Sequence, residues 1–218
     1  LLGLLKFIHS GGDITMDIKK VGIVGLGTMG SNIAIVCASG GMETTVCEVN
    51  DAALQNGNGR IRAFLDSGVE KGKTSSGDRD AILGRLKGTT TLTDLAGCDL
   101  VIEAISENFE EKIELFRKLD GILGEDAILA SNTSTLSITG MGAASGRPGQ
   151  TVGMHFCLPA ALNKLVEIAP GMLTSGDTLE AARSFLEKTG QTPIEVKDTP
   201  GFILNKFLIP FQNDCIRM

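Results

Sequence analysis

Hydrophobic residues along the chain fall into short apolar runs separated by longer segments with helical spacing. The runs have the length expected of buried strands and cover 21–24, 44–47, 89–91, 99–105, 127–130, 149–154, 165–168 and 192–196. Between them, helices are predicted at about 32–38, 50–72, 110–123 and 177–189, and another from Pro200 onward. Strands that alternate with helices predict an α/β fold with a doubly wound, mostly parallel sheet.

A glycine motif follows the first apolar run. Gly25, Gly27 and Gly30 give G-x-G-x-x-G, directly before a segment of helical length. In a dinucleotide-binding turn these glycines allow the tight turn, the approach of the pyrophosphate and the packing of the helix on the sheet. The helix start also offers free N–H groups to the pyrophosphate. The motif therefore predicts a Rossmann-type cofactor loop, with a glycine-rich turn of another α/β protein as the alternative. The loop comprises Gly25, Leu26, Gly27, Thr28, Met29 and Gly30.

An acidic residue follows at the spacing expected for ribose recognition. Glu48 comes 18 residues after Gly30, at the end of the second predicted strand. Its carboxylate can accept hydrogen bonds from ribose hydroxyls and would repel a 2′-phosphate. Since no Arg or Lys follows within several residues, the sequence favours NAD over NADP as the cofactor.

Composition narrows the classes of partner. The net charge of −6 and the absence of Tyr and Trp make binding to nucleic acid or to an anionic membrane unexpected. Five cysteines without a C-x-x-C spacing predict neither a disulfide framework nor a metal site, and they fit a cytoplasmic protein. Residues 1–15 precede Met16 and are interpreted as an N-terminal extension, in which His9 has no assigned role.

Polar residues gather where the predicted strands end, and one pair suggests acid–base chemistry. His155 lies twelve residues before Glu167, and a hairpin between them would bring the two side chains together. A carboxylate on one ring nitrogen fixes the tautomer, so that the other nitrogen can take a proton from a substrate hydroxyl. On spacing alone, a structural histidine bonded to a carbonyl is equally consistent.

Residues 60–87 carry a net positive charge, whereas the rest of the chain has a net negative charge. They hold seven basic and four acidic side chains, against 13 and 22 in the rest of the chain. Arg60, Ser67 and Lys71 fall on one face at helical spacing. A solvated helix surface and a contact for a phosphate-bearing substrate are both open interpretations.

Several blocks together resemble a known family. The chain is similar to the NAD-binding domain of 3-hydroxyacyl-CoA dehydrogenases, including the 3-hydroxybutyryl-CoA enzymes, from about Ile18 to the C-terminus. The resemblance implies an NAD-dependent enzyme of fatty acid metabolism that interconverts a 3-hydroxyacyl-CoA and a 3-ketoacyl-CoA. The blocks are 22–30, 99–112 (DLVIEAISENFEEK), 130–136 (ASNTSTL), 155–167 and 197–205 (KDTPGFILN).

The resemblance also implies roles for single residues. His155 is expected as the catalytic base and Glu167 as the carboxylate that orients it. Polar residues with further implied roles are Ser134 and Asn205 near the substrate's 3-oxygen, Glu107 and Lys112 near the nicotinamide ribose, and Lys71, with Arg60 beside it, near the phosphates of CoA. For Ser134, Asn205 and Glu107, a cap or a loop hydrogen bond is the structural alternative.

The sequence departs from the family pattern at two points. Leu158 stands where the family usually has Asn, so a polar contact near the substrate is missing. The chain also ends at Met218, within what in the family is the first helix of an all-helical C-terminal domain that covers the acyl-CoA site and makes the dimer. We therefore expect an NAD-binding domain over 16–199 and the truncated start of the helical domain over 200–218, through which the chain would form a homo-oligomer.

Two other functions remain open at this point. A β-hydroxyacid dehydrogenase acting on a non-CoA substrate shares the character of the glycine loop, although it does not explain His155 with Glu167. A non-catalytic, cofactor-binding or structural relative would explain Leu158 and the missing helical domain.

Overall fold

A computed structural model describes residues 16–218 of the chain, so the predicted extension at 1–15 lies outside the described residues. Eight strands form one sheet in the order β3-β2-β1-β4-β5-β6-β7-β8. Strands β1 to β6 are parallel, β7 is antiparallel to β6, and β8 is parallel to β7. The strands are β1 (Lys20–Val24), β2 (Glu43–Cys47), β3 (Leu86–Thr89), β4 (Leu100–Glu103), β5 (Ile128–Ser131), β6 (Thr151–Phe156), β7 (Leu165–Pro170) and β8 (Thr192–Glu195).

Helices cover both faces of this sheet, which confirms the predicted doubly wound α/β fold. Alternate residues of β4 show the two faces: Leu100 and Ile102 belong to one buried apolar cluster, and Val101 belongs to the other. Because both faces are buried, the central strands are apolar along their whole length. The helices are α1 (Thr28–Ser39), α2 (Asp51–Glu70), α3 (Ser76–Gly84), α4 (Phe109–Asp120), α5 (Ile138–Ser145), α6 (Gly176–Lys188) and α7 (Leu204–Arg217).

Two helices and one strand position differ from the sequence-based prediction. Helices α3 and α5 were not predicted, because neither carries a clear amphipathic pattern; each begins at a serine cap, Ser75 or Ser137. The third strand was predicted at 89–91 and lies at Leu86–Thr89. The chain turns at Thr89, whose hydroxyl donates to Asp94 and accepts from the backbone N–H of Thr91.

The last helix begins four residues later than predicted. Gly201 and Phe202 have φ angles of +81° and +45°, so the backbone is left-handed where a helix from Pro200 would need right-handed residues. Helix α7 starts only at Leu204 and has no buried residue among its fourteen. Its apolar side chains, including Phe207 and Phe211, are largely exposed.

The strand order reverses between β1 and β4, and the carboxyl ends of the parallel strands meet at one edge. Ligands of open α/β sheets bind outside this edge, at the point of reversal. The loops after β1, β4, β5 and β6 all open there, and they carry most of the residues singled out from the sequence. Among the described residues, no helix has the length and apolar content needed to cross a membrane.

Candidate active site

The glycine loop has the backbone geometry of a dinucleotide-binding turn. Gly25 has φ +90°, a conformation that side-chain-bearing residues rarely adopt. A Cβ on Gly30 would lie 1.8 Å from the carbonyl oxygen of Gly25, so only glycine allows α1 to start so close to β1. A Cβ on Gly27 would meet nothing within 4 Å, which leaves open space beside the backbone there. These three positions match the roles expected of the motif.

Glu48 lies at the end of β2 and touches the same loop. Its Oε1 accepts a hydrogen bond from the backbone N–H of Leu26 at 2.5 Å, and its Oε2 accepts one from Val49 at 3.1 Å. The half-buried carboxylate lines a cleft together with Val24 and Gly25. Glu48 is therefore held against the glycine loop, at the cleft beside it.

A buried ionic cluster lies between β4 and α4. Lys112 is 1% exposed, and its Nζ lies 2.5 Å from Oε1 of Glu103 and 3.3 Å from Oε2 of Glu107. Glu103 is fully buried and also accepts hydrogen bonds from the Ser131 hydroxyl and from the backbone N–H of Ile105. Lys112 does not line the cavity described below and lies behind Glu107, which does line it.

Glu107 joins this cluster to the loop that follows β5. Its Oε1 accepts hydrogen bonds from the Thr133 hydroxyl at 2.5 Å, from the backbone N–H of Ser134 at 3.1 Å and from the Thr135 hydroxyl at 3.2 Å. Burial raises the pKa of Glu107, but the hydrogen bond from Thr133 and the charge of Lys112 outweigh it, and the pKa lies below its ordinary 4.5. Glu107 is thus held ionised, with one edge toward the cavity.

The hairpin of β6 and β7 brings His155 and Glu167 together. The two residues are direct cross-strand partners, and Nδ1 of His155 lies 2.7 Å from Oε2 of Glu167. Both are buried. Since a carboxylate can only accept, Nδ1 carries a proton and Nε2 of the neutral ring is an acceptor. In the part of the chain that the structure describes, no protein group bonds Nε2.

His155 opens onto a cavity of about 630 Å³ that also reaches the glycine loop. This volume is in the range of small-molecule sites. The cavity brings together seven residues of interest, namely Gly27, Thr28, Met29, Glu107, Ser134, His155 and Asn205, with Leu158 at its rim. Burial, followed by the charge of Glu167, raises the pKa of the neighbouring Cys157 thiol above its ordinary 9.0, so the thiol stays protonated beside the imidazole.

The basic residues predicted to contact CoA lie elsewhere. The Arg60 guanidinium donates to the carbonyl oxygen of Leu26 at 2.5 Å and to the Ser31 hydroxyl at 3.4 Å, so it supports the glycine loop from behind. Lys71 is exposed at the C-terminal cap of α2. It lies about 21 Å along the helix axis from Gly57, which packs on Leu26. Neither residue lines the cavity that contains His155.

Two contributors were not predicted from the sequence. Glu103 is the one charged residue in the otherwise apolar strand 100–103, and this contrast is the feature of the sequence from which its role could have been predicted. Phe202 packs its ring on the imidazole of His155, with ring centroids 5.7 Å apart and planes inclined at 48°. Nothing in the apolar run around Phe202 distinguished it from its neighbours.

Comparisons with known proteins agree with this geometry. The profile described as "3-hydroxyacyl-CoA dehydrogenase, NAD binding domain" matches residues 20–199. A probable 3-hydroxybutyryl-CoA dehydrogenase of Deinococcus radiodurans is 43% identical over 198 residues, which are 91% of this chain and 71% of that protein. The 3-hydroxybutyryl-CoA dehydrogenase of Bradyrhizobium diazoefficiens is 39% identical over 199 residues, which are 91% of this chain and 68% of that one.

A solved structure extends the likeness to three dimensions. The crystal structure of (S)-3-hydroxybutyryl-CoA dehydrogenase from Ralstonia eutropha superposes with a TM-score of 0.88 at 41% identity, covering 91% of this chain and 70% of that one. The profile spans nearly all of the sheet, including the glycine loop, the ionic cluster and the β6–β7 hairpin. The chain therefore belongs to the 3-hydroxyacyl-CoA dehydrogenase family, and residues 20–199 are its NAD-binding domain.

Proposed function

We propose that this protein interconverts 3-hydroxyacyl-CoA and 3-ketoacyl-CoA with NAD, and that His155 is the general base. The observation that carries the proposal is the His155–Glu167 pair, which opens onto the same cavity as Gly27 and Thr28 of the cofactor loop. The relatives whose names specify 3-hydroxybutyryl-CoA dehydrogenases support a short acyl chain as the substrate class.

The geometry suggests how the residues divide the chemistry. NAD, when bound along the glycine loop, supplies the hydride acceptor. Glu167 holds Nδ1–H of His155, so that Nε2 can take the proton of the 3-hydroxyl as the hydride leaves carbon 3. Ser134 and Asn205 lie on two sides of the same cavity and can donate to or accept from the 3-oxygen. In the reverse direction, the protonated His155 returns the proton.

A steady-state assay tests this function. Acetoacetyl-CoA with NADH should be turned over, and NADPH should be a poorer reductant because Glu48 would face a 2′-phosphate. Replacing Glu48→Ala should narrow the gap between the two reductants. A protein that binds NADH but reduces only 3-ketoacids without CoA would instead support the β-hydroxyacid alternative, and cofactor binding without any turnover would support a non-catalytic relative.

Lys71 is proposed as a contact for the phosphates of CoA, in accordance with its expected role in the family. The exposed lysine lies in the basic segment 60–87 and is free to reach a long, flexible ligand that extends away from the cavity. Lys71→Ala should raise KM for acetoacetyl-CoA and leave KM for the matching N-acetylcysteamine thioester unchanged. Arg60 supports the loop instead, so its replacement should weaken NADH binding.

We also propose that the protein is a cytoplasmic homo-oligomer that associates through 200–218. The fourteen residues of α7 have no buried member, yet Phe207, Ile209, Phe211 and Ile216 are large and apolar. An apolar face of this size favours association. The free cysteines Cys37, Cys47, Cys98, Cys157 and Cys215 fit a reducing compartment. Sedimentation over a concentration series should show a dimer or a larger species, whereas a monomer at high concentration would contradict the proposal.

A further inference from the structure

The carboxylate of Glu167 serves two parts of the chain at once. Its Oε2 holds Nδ1 of His155 at 2.7 Å. Its Oε1 accepts hydrogen bonds from the backbone N–H groups of Ile203 and Leu204, each at 2.9 Å. These amides belong to the first turn of α7, which otherwise lacks a side-chain cap. The same carboxylate therefore orients the imidazole and fixes the start of the last helix.

The residue just before these amides is buried in an unfavourable backbone conformation. Phe202 has φ +45° and is 2% exposed, and it is the one non-glycine residue with positive φ in the described range 16–218. A bulky residue in the left-handed region costs conformational free energy. Such a conformation persists only when the surrounding contacts determine it. Here those contacts are the hydrogen bond from its own N–H to the Thr199 carbonyl, the Glu167–amide bonds that follow it, and the packing of its ring in an apolar cluster beside His155.

The segment also reaches the cavity on its far side. Asn205 follows Leu204 and lines the cavity together with Ser134 and His155. One short stretch of chain thus contacts the imidazole through Phe202, the carboxylate through two amides, and the cavity through Asn205. A shift of the stretch would disturb all three contacts together.

We propose that Phe202 is a positioning residue for the catalytic imidazole. Its ring, tilted by 48° against the imidazole with centroids 5.7 Å apart, limits rotation of the imidazole about its side-chain bonds and keeps water away from the Nδ1–Glu167 hydrogen bond. Nδ1 is thereby held on Glu167, and Nε2 is directed into the cavity. The inference deepens the proposed function, because the positioning of His155 matters for turnover only if His155 is the base.

The tautomer of His155 can be measured without any substrate. Protein labelled with ¹⁵N-histidine gives long-range ¹⁵N–¹H correlations that distinguish Nδ1–H from Nε2–H, and the His155→Gln variant identifies which signals belong to His155 rather than His9. The wild-type protein should show the Nδ1–H form with a slowly exchanging ring proton. The key variant is Phe202→Gly, because glycine accepts the left-handed conformation and only the ring is lost.

Phe202→Gly should give a mixture of tautomers and ring-proton exchange faster by about tenfold, the factor that one ordinary hydrogen bond represents. Phe202→Leu keeps apolar bulk over the imidazole and should restore most of the wild-type signal. Phe211→Ala is the matched control, since it removes an exposed phenyl ring from α7, which begins two residues after Phe202, and should change neither measurement.

A single Nδ1–H tautomer and unchanged proton exchange in a folded Phe202→Gly protein would overturn the proposal. If that variant does not fold, Phe202→Asn decides, because asparagine tolerates the left-handed conformation and carries no apolar ring, so the proposal requires its imidazole proton to exchange measurably faster than in the wild-type protein. Equal exchange rates would then overturn the proposal. If the tautomer responds as expected but no variant and no wild-type protein reduces acetoacetyl-CoA, the positioning role stands and the proposed function fails.

Discussion

Two buried pairs, each made of a basic and an acidic side chain, lie at the same edge of the sheet, and their surroundings differ. Glu103 and Lys112 sit between β4 and α4, whereas His155 and Glu167 face each other across β6 and β7. Each pair has an acidic partner with three hydrogen-bond donors. The difference is that Lys112 is enclosed by two carboxylates, while the second ring nitrogen of His155 is directed to a cavity.

The comparison shows that the surroundings of a buried charged group indicate whether it stabilises the fold or can interact with a ligand. Glu103 accepts from Lys112, Ile105 and Ser131, and all these groups belong to the protein. This cluster ties the loop after β4 to the strand β5 and to the loop that carries Ser134. Since Glu107 is the one charged member of the cluster that lines the cavity, and Glu103 and Lys112 lie behind it, the task of the cluster is to hold those loops. His155, in contrast, has a hydrogen-bonding position left for a ligand.

The largest effect is expected when the imidazole is removed, which tests whether the His155–Glu167 pair, unlike the Glu103–Lys112 pair, acts on a substrate. His155→Gln should lower kcat by about 10²–10⁴-fold, the usual contribution of a general base. The dissociation constant for NADH should hardly change, because the base acts on the substrate. Stopped-flow reduction of acetoacetyl-CoA and calorimetric titration with NADH measure the two quantities. Full activity in this variant would mean that another group is the base.

Next in size is the loss of the enclosed lysine. Lys112→Met leaves Glu103 buried without its cationic partner, which should lower the free energy of unfolding by about 3–5 kcal/mol. Glu103→Gln in the same protein should recover part of the loss, because it removes the uncompensated charge and keeps an acceptor for Ile105 N–H. Urea unfolding measures both variants.

Lys118→Met is the matched control for that experiment. Lys118 lies on the same helix and pairs with Glu114 four residues earlier, but its side chain is 56% exposed. Exposed pairs of this kind contribute about 0.3–0.5 kcal/mol. Equal losses for Lys112→Met and Lys118→Met would show that the enclosed cluster contributes no more than a surface pair does.

A smaller effect is expected at Leu158, which lies at the cavity that His155 faces. Leu158 is 53% exposed at the rim of the cavity beside Cys157. Leu158→Asn would add a donor for the substrate, and one hydrogen bond is worth about 0.5–1.5 kcal/mol. We expect a few-fold rise in kcat/KM for acetoacetyl-CoA with NADH affinity unchanged. A lower value would indicate that Leu158 forms part of an apolar pocket for a different acyl group.

The smallest effect concerns acid stability through Glu107. Because its pKa in the folded protein lies below 4.5, the unfolded chain takes up the proton first as the pH falls. Glu107 therefore stabilises the fold above that value, and its contribution is lost as the pH falls through the folded pKa. Glu107→Gln should flatten the dependence of urea stability on pH below about 4.5. An unchanged slope would show that Thr133 and Lys112 do not favour the ionised form.

Local features of the sequence predicted the geometry around the glycine loop. The turn at Gly25, the close helix–strand approach at Gly30 and the position of Glu48 directly after β2 are all determined within about thirty residues. The His155–Glu167 hairpin was likewise predicted from a short spacing, and the structure contains it.

Features that depend on distant partners could not be predicted in this way. The charge of Glu103 is compensated by Lys112 and Ser131, which lie on other elements. The late start of α7 follows the left-handed turn at Gly201 and Phe202, and Glu167, 36 residues before Ile203, accepts the amides at its start. Helix α5, with its sequence ITGMGAAS, buries Ile138, Met141, Gly142 and Ser145 on one face, but its other residues are small and uncharged, so the contrast between faces on which a prediction relies is weak.

The antiparallel direction of β7 has a consequence for how this enzyme family can diversify. Because His155 and Glu167 are paired by strand register, their distance does not depend on the length of the connection at 157–164. That connection, which carries Leu158 and Asn163 at the cavity, can accept insertions and substitutions as long as the hairpin register is kept. The lining of the cavity can therefore evolve, or be engineered, at the tip of the hairpin while the His155–Glu167 pair in its stem is kept unchanged.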